Sequence, residues 1–190
     1  MRFRRSVAIL GIVCATRELP AQLIPRFSGS LLAGPMSTRG GEFRNKDGLM
    51  IDAEGTVRLI ARKYVAVIGT VSYSGQAGTG DVTTICIPSV RFGCAPASAD
   101  FYGFAGRVGI EASLGEFMTV QATVGAGWYR YKSGVSGIDR GAHVTPMGLA
   151  AILPLLPHVA AVVRGERAHF RDFMGEPFST NAVLFGLRLH

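Results

Sequence analysis

The chain has 190 residues and a formal charge of +7, enough for one domain with a sizeable core. Arg2, Arg4, Arg5 and Arg17 against Glu18 put +3 of that charge in residues 1–21, which leaves +4 on residues 22–190. That remainder has no Lys/Arg cluster interleaved with aromatics and no nucleic-acid-binding motif, which argues against nucleic acid as a partner. Only Lys46, Lys63 and Lys132 are lysines, so nearly all the positive charge is arginine.

The first element reads as an export signal. Met1–Arg5 is basic, Ser6–Ala15 is an apolar run too short to span a bilayer as a helix, and Leu19-Pro-Ala21 is a cleavage site. Residues 1–21 are therefore expected to be a signal peptide, and residues 22–190 the barrel domain described below. Removing Cys14 with the signal leaves Cys86 and Cys94. In the oxidising compartment that export implies, these two are expected to form a disulfide.

From Leu49 onward the hydrophobic period is two. Leu49, Ile51, Ala53, Gly55, Val57, Leu59 and Ala61 carry no charge. The interleaved set Met50, Asp52, Glu54, Thr56, Arg58, Ile60 and Arg62 carries all of it. Tyr102–Leu114, Met118–Tyr131 and Ala182–His190 alternate in the same way. Such alternation argues for strands with two unlike faces. Ala142–Val163 is apolar enough to suggest a helix, but Pro146, Pro154 and Pro157 each remove a helix hydrogen bond. It reads instead as two strands joined by a turn at Leu153–His158. Strands are expected near 25–34, 49–62, 65–74, 101–114, 118–132, 141–152, 159–167 and 181–190.

Eight strands in a hairpin chain put alternate connections at the same end. Those at 62–64, 115–117 and 153–158 are short, while those at 35–48, 75–100, 133–140 and 168–180 are longer. Short turns at one end and long loops at the other are the signature of an outer-membrane barrel. A soluble lipocalin-like barrel also alternates, with its apolar face turned inward onto a ligand. Three features favour the membrane. The polar face is small and almost free of lysine. The aromatics Tyr64, Tyr73, Tyr102, Phe104, Phe117 and Trp128 sit towards strand ends, like interfacial girdles. The strands are also close to the ~9–11 residues that a tilted strand needs to cross hydrocarbon. The expected fold is all-β: an eight-stranded antiparallel up-and-down transmembrane β-barrel in the bacterial outer membrane.

In this pattern, residues 22–190 resemble the small outer-membrane barrels of the OmpA/OmpX-like group, which fall within the broad porin-like class. Phe185-Gly-Leu-Arg-Leu-His190 has the alternation and the glycine of such a barrel's last strand, with Leu189-His190 where members often carry an aromatic end. The resemblance implies outer-membrane lipid as the surroundings, barrel-insertion machinery as an assembly partner, and a monomer.

The inward set supplies four acids and four bases: Asp52, Glu54, Glu111 and Glu166 with Arg58, Arg107, Arg164 and Arg188. Charge enclosed in a narrow barrel must be paired, so an ionic plug is expected in preference to a gated polar pathway. No H-E-x-x-H, G-x-S-x-G or phosphate-binding glycine loop is present, and no cofactor or metal motif. Small barrels include lipid-modifying acyl-transfer enzymes, but His143, His158, His169 and His190 stand without an evident Ser/acid set. The segment 75–100, with Ile87–Gly93 apolar between its two cysteines, is the expected site for an external ligand. The favoured function is a non-enzymatic barrel serving envelope structure or partner binding. The alternatives are a lipid-modifying enzyme, a narrow pore for small solutes, or a soluble ligand-binding barrel.

Overall fold

A computed structural model describes residues 27–39, 46–78, 99–133, 139–173 and 176–190. The expected signal segment and both cysteines, Cys86 and Cys94, lie outside the described residues. Eight strands follow one another: β1 (Phe27–Arg39), β2 (Lys46–Ala61), β3 (Val65–Gly78), β4 (Ala99–Ser113), β5 (Thr119–Ser133), β6 (Asp139–Leu156), β7 (Val159–Phe173) and β8 (Glu176–Leu189). Each pairs antiparallel with the next, and β1 pairs with β8, so the sheet closes into a barrel without a free edge. The expected fold class and strand number are those of the structure.

The tight turns share one end. Arg62 N–H donates to Val65 O, Ser113 N–H to Tyr64 O and Leu114 N–H to Met118 O, each at 2.8 Å. Gly115 supplies the left-handed backbone (φ 79°) that the β4–β5 turn needs.

At the opposite end the strands run past the boundaries the sequence suggests. The stretch 168–180 is mostly strand: Ala168 pairs with Thr180 and Phe170 with Phe178. Pairing continues there because above the apolar band the faces exchange polarity: Ala168, Phe170 and Phe178 point inward, while Arg167, His169 and Arg171 face out. In the same way Pro35–Arg39 belongs to β1, and the connections shrink to 40–45, 79–98, 134–138 and 174–175. The β6–β7 turn is also tighter than Leu153–His158, since β6 continues through an irregularity between Pro154 and Leu156.

Four prolines lie inside strands, and two of them, Pro35 and Pro146, sit where a ladder lapses on one side. Pairing of β5 with β6 skips from Val124–Met147 to Gly127–Val144, passing over Pro146. Pairing of β1 with β8 skips from Ala33–Phe185 to Met36–Ala182, passing over Pro35. A proline has no N–H to give, so its strand keeps the ladder only on the other side.

In β2 a bulge between Arg58 and Ile60 breaks the strict alternation read from Leu49 to Arg62. The sequence pattern groups Ile60 with Asp52, Glu54 and Arg58. The extra residue turns Ile60 outward instead, 63% exposed, and leaves Arg58 pointing in.

The lumen is filled by side chains. Leu32, Met36 and Met50 pack with Ile152, Val162 and Leu184 along one inner wall. The facing wall, β4–β5, is kept low by small residues. A Cβ on Gly125 would run into the carbonyl oxygen of Gly106, and one on Gly127 into that of Phe104. Glycine there lets neighbouring backbone approach and clears space for the large side chains that cross the interior.

Candidate functional site

The eight charged residues singled out from the alternation project into one layer of the lumen. Glu54 is its hub. Arg164 Nη2 and Glu54 Oε2 form a short ion pair, Arg188 Nη2 lies 3.2 Å from Glu54 Oε1, and Arg107 Nη1 lies 3.5 Å from Glu54 Oε2. Asp52 takes Arg164 Nη1 at 2.7 Å and the Ser74 hydroxyl at 2.5 Å. Glu166 takes Arg107 Nη2 at 3.0 Å. Towards the turn end, Arg58 Nη2 meets Glu111 Oε1 at 2.6 Å, and Arg188 Nη1 meets Glu111 Oε2 at 3.7 Å. Seven of the eight are buried, with Arg58 the partly exposed member.

Four bases against four acids leave the layer with no net charge. The planar forks of Arg107, Arg164 and Arg188 each span carboxylates on two different strands, and Arg58 takes Glu111 alone. Three neutral residues complete the layer without having been marked as members by the sequence. Gln121 donates to Glu111 at 2.6 Å and accepts from Arg188 at 3.2 Å, Ser30 accepts from Arg188 Nε at 3.1 Å, and Thr56 donates to Glu54 at 3.1 Å. Their only sequence signal is a polar side chain at an inward position.

A second feature lies on the loop side of the charges. Phe101, Tyr129, Phe170 and Phe178 meet in a buried aromatic cluster. Phe170 and Phe178 stack 4.3 Å apart and 5° from parallel, and Phe101 leans on both at 5.7 and 5.6 Å. Tyr129 meets Phe170 edge-on at 5.6 Å. The sequence reading misses this cap, because Phe170 and Phe178 fall in the stretch taken as a loop.

The outer wall carries the opposite chemistry. Val71, Val108, Ile110, Leu149 and Phe185 are all more than half exposed. The aromatics expected to form girdles lie outside: Tyr64 and Phe117 at the turn end, Tyr73, Phe104 and Trp128 towards the loops, with Tyr102 half-buried. Tyr73 and Phe104 pack 4.8 Å apart, and Trp128 meets His143 edge-on at 4.7 Å. A continuous apolar belt around charged contents is the reverse of a soluble ligand-binding barrel, and only a lipid environment leaves it stable.

The histidines are dispersed. His143 lies on the outer wall, and His158 is in the β6–β7 turn, where its carbonyl accepts from His190 N–H at 3.1 Å. His169 Nδ1 and Ser179 Oγ are 3.1 Å apart on the outer side of β7 and β8. Among the described residues, no three His, Cys, Asp or Glu side chains gather in a way that could hold a metal ion. Partial burial, then the Arg188 and Arg58 guanidiniums, hold the His190 imidazole below its ordinary value.

No protein-family model matches the sequence, and no curated protein matches it. Solved structures do match the fold. The barrel is similar to neisserial surface protein A, with a TM-score of 0.67 and 8% identity over 86% of this chain and 96% of that one. It is also similar to Ail, the attachment invasion locus protein of Yersinia pestis, solved with the heparin analogue sucrose octasulfate. Here the TM-score is 0.51 and the identity 15%, over 86% of this chain and 99% of that one. The shared architecture is that of the small OmpA/OmpX-like barrels. That shared fold and the apolar exterior make this chain a barrel suited to lipid surroundings.

Proposed function

We propose that the chain is a non-enzymatic outer-membrane barrel, plugged inside, that serves envelope structure and presents its loop-side connections to an external partner. The observation that carries this reading is the closed account of charge in the lumen. Each of the four arginines of the layer has a carboxylate partner, and an aromatic cluster covers them on the loop side. A conducting path would have to break ion pairs that have no water to replace them. The connection 79–98 is the longest of the four on the loop side, and rigid barrels offer binding from such segments. In this reading residues 1–21 are removed on export, insertion machinery receives residues 22–190, and Cys86 pairs with Cys94 to staple the connection.

The experiment is single-channel recording in planar bilayers. The wild-type barrel gives no stepwise conductance, whereas a steady open state in the wild type overturns the plug. A second reading, lipid-ester hydrolysis, is favoured by the His169–Ser179 pair on the lipid-facing wall. Release of fatty acid from mixed lipid vesicles, abolished by Ser179→Ala, would select it.

A further inference from the structure

Arginine is used in two ways in this molecule. Inside the lumen all four have carboxylate partners. On the outer wall, Arg39 of β1 and Arg167 and Arg171 of β7 are exposed, and none makes an ion pair or side-chain hydrogen bond with a described residue.

Strand register gathers these three. Thr145, His169, Ser179 and Arg39 form one row across β6, β7, β8 and β1. Met147, Arg167, Asn181 and Ser37 form the next row towards the turn end, and His143 faces Arg171 on the other side. Adjacent strands lie ~4.8 Å apart and alternate residues ~6.6 Å along a strand, so the three guanidiniums share one patch. Asp47, the outward acid opposite Ser37, already has a partner of its own.

The depth of the patch follows from the apolar belt. On β4 the outward apolar run extends over Tyr102–Ala112, eleven residues, and on β5 over Val120–Trp128, nine residues. On β7 it covers only Val159–Gly165, seven residues, and Arg167 is the ninth residue of the strand. A tilted strand needs about 9–11 residues to cross hydrocarbon. Arg167 therefore sits where hydrocarbon gives way to headgroups, a depth at which an arginine stem can lie along the wall and hold its guanidinium in the headgroup layer. Arg39 and Arg171 lie further towards the loops.

We propose that this patch on β7 and β1 is a docking surface for lipid headgroups of the loop-side leaflet that carry an exposed phosphate and a net negative charge. Three guanidiniums without a partner among the described residues match phosphate oxygens, which they can take bidentately, and Ser37, Thr145 and Asn181 supply neutral hydrogen-bonding groups around them. The proposal rests on the barrel being embedded in the membrane. It is independent of whether the lumen is plugged or what the loops bind.

The test is native mass spectrometry of the exported full barrel, released from a neutral detergent after mixing with equal amounts of phosphatidic acid and phosphatidylcholine. Wild type retains phosphatidic acid at least fivefold over phosphatidylcholine. Combined Arg39→Gln, Arg167→Gln and Arg171→Gln removes that preference, while Arg62→Gln at the turn end leaves it intact. A hundredfold excess of inorganic phosphate leaves the retained lipid in place, because the acyl chains hold the headgroup at the wall. Equal retention of the two lipids by the wild type overturns the proposal, whatever the variants do. So does displacement by free phosphate, or an undiminished preference in a triple variant that still shows the folded barrel's gel shift on boiling.

Discussion

The charged layer and the aromatic cap are neighbours in one lumen, yet they are stabilised in opposite ways. The charged layer consists of groups that resist leaving water, and it is tolerable only because every carboxylate is shared among several arginines. The cap gains from burial alone, with a further aromatic contribution from the Phe170–Phe178 stack. Losing one member should therefore be costly in the layer and gradual in the cap. The layer fixes how opposite walls meet, since Arg164 on β7 and Arg188 on β8 both reach Glu54 on β2. The cap seals the loop side without needing so exact a geometry.

The largest expected effect is at Glu54. Glu54→Gln leaves Arg107, Arg164 and Arg188 short of their common partner, and the barrel should lose about 3–5 kcal/mol, as when one side of a buried ion pair is removed. Urea unfolding from lipid vesicles measures it. Adding Arg164→Met should recover part of the loss, and simple additivity of the two changes would show that the layer is not a coupled unit.

Next is the contrast between the two faces of β4. Val108→Arg puts a charge into hydrocarbon, at about 2–4 kcal/mol near the midplane. If the same unfolding assay finds Val108→Arg silent, the outer wall does not face lipid at that depth.

In the cap, Phe170→Leu keeps an apolar side chain but ends the stack. It should cost about 1 kcal/mol and leave the bilayer silent. A loss as large as that of Glu54→Gln would mean that the cap, not the charges, holds the lumen together.

The smallest effect concerns His190, at the turn end. Its folded imidazole resists the proton that the unfolded chain binds below about pH 6.5. The unfolded state therefore binds more protons in that range, and stability falls as pH drops through it. Above that range the contribution vanishes. The slope of stability against pH between about 5 and 7 should flatten in His190→Asn; an unchanged slope assigns it to other groups.

Alternation, with the prolines of 142–163, the lysine-poor polar face and the aromatics near strand ends, determined the strand number, the assignment of faces and the membership of the charged layer. In a barrel wall the period of two is imposed wherever lipid lies on one side and a packed lumen on the other. Asp52 and Glu54, or Arg107 and Glu111, could therefore be placed inside before any pairing was known. Above the belt that constraint ends. Water reaches the outer face, which turns polar while the inner face turns aromatic, so the strands through Phe170 and Phe178 lost the signature of the belt while keeping their hydrogen bonds. The bulge that turns Ile60 outward was also hidden, since one inserted residue changes phase without changing composition. Only closure of the sheet decided which charges meet. Glu54 and Arg188 are far apart in sequence and come together because β8 pairs with β1, which pairs with β2. The patch of Arg39, Arg167 and Arg171 has the same origin: three arginines on the first and seventh strands become neighbours only when the barrel shuts.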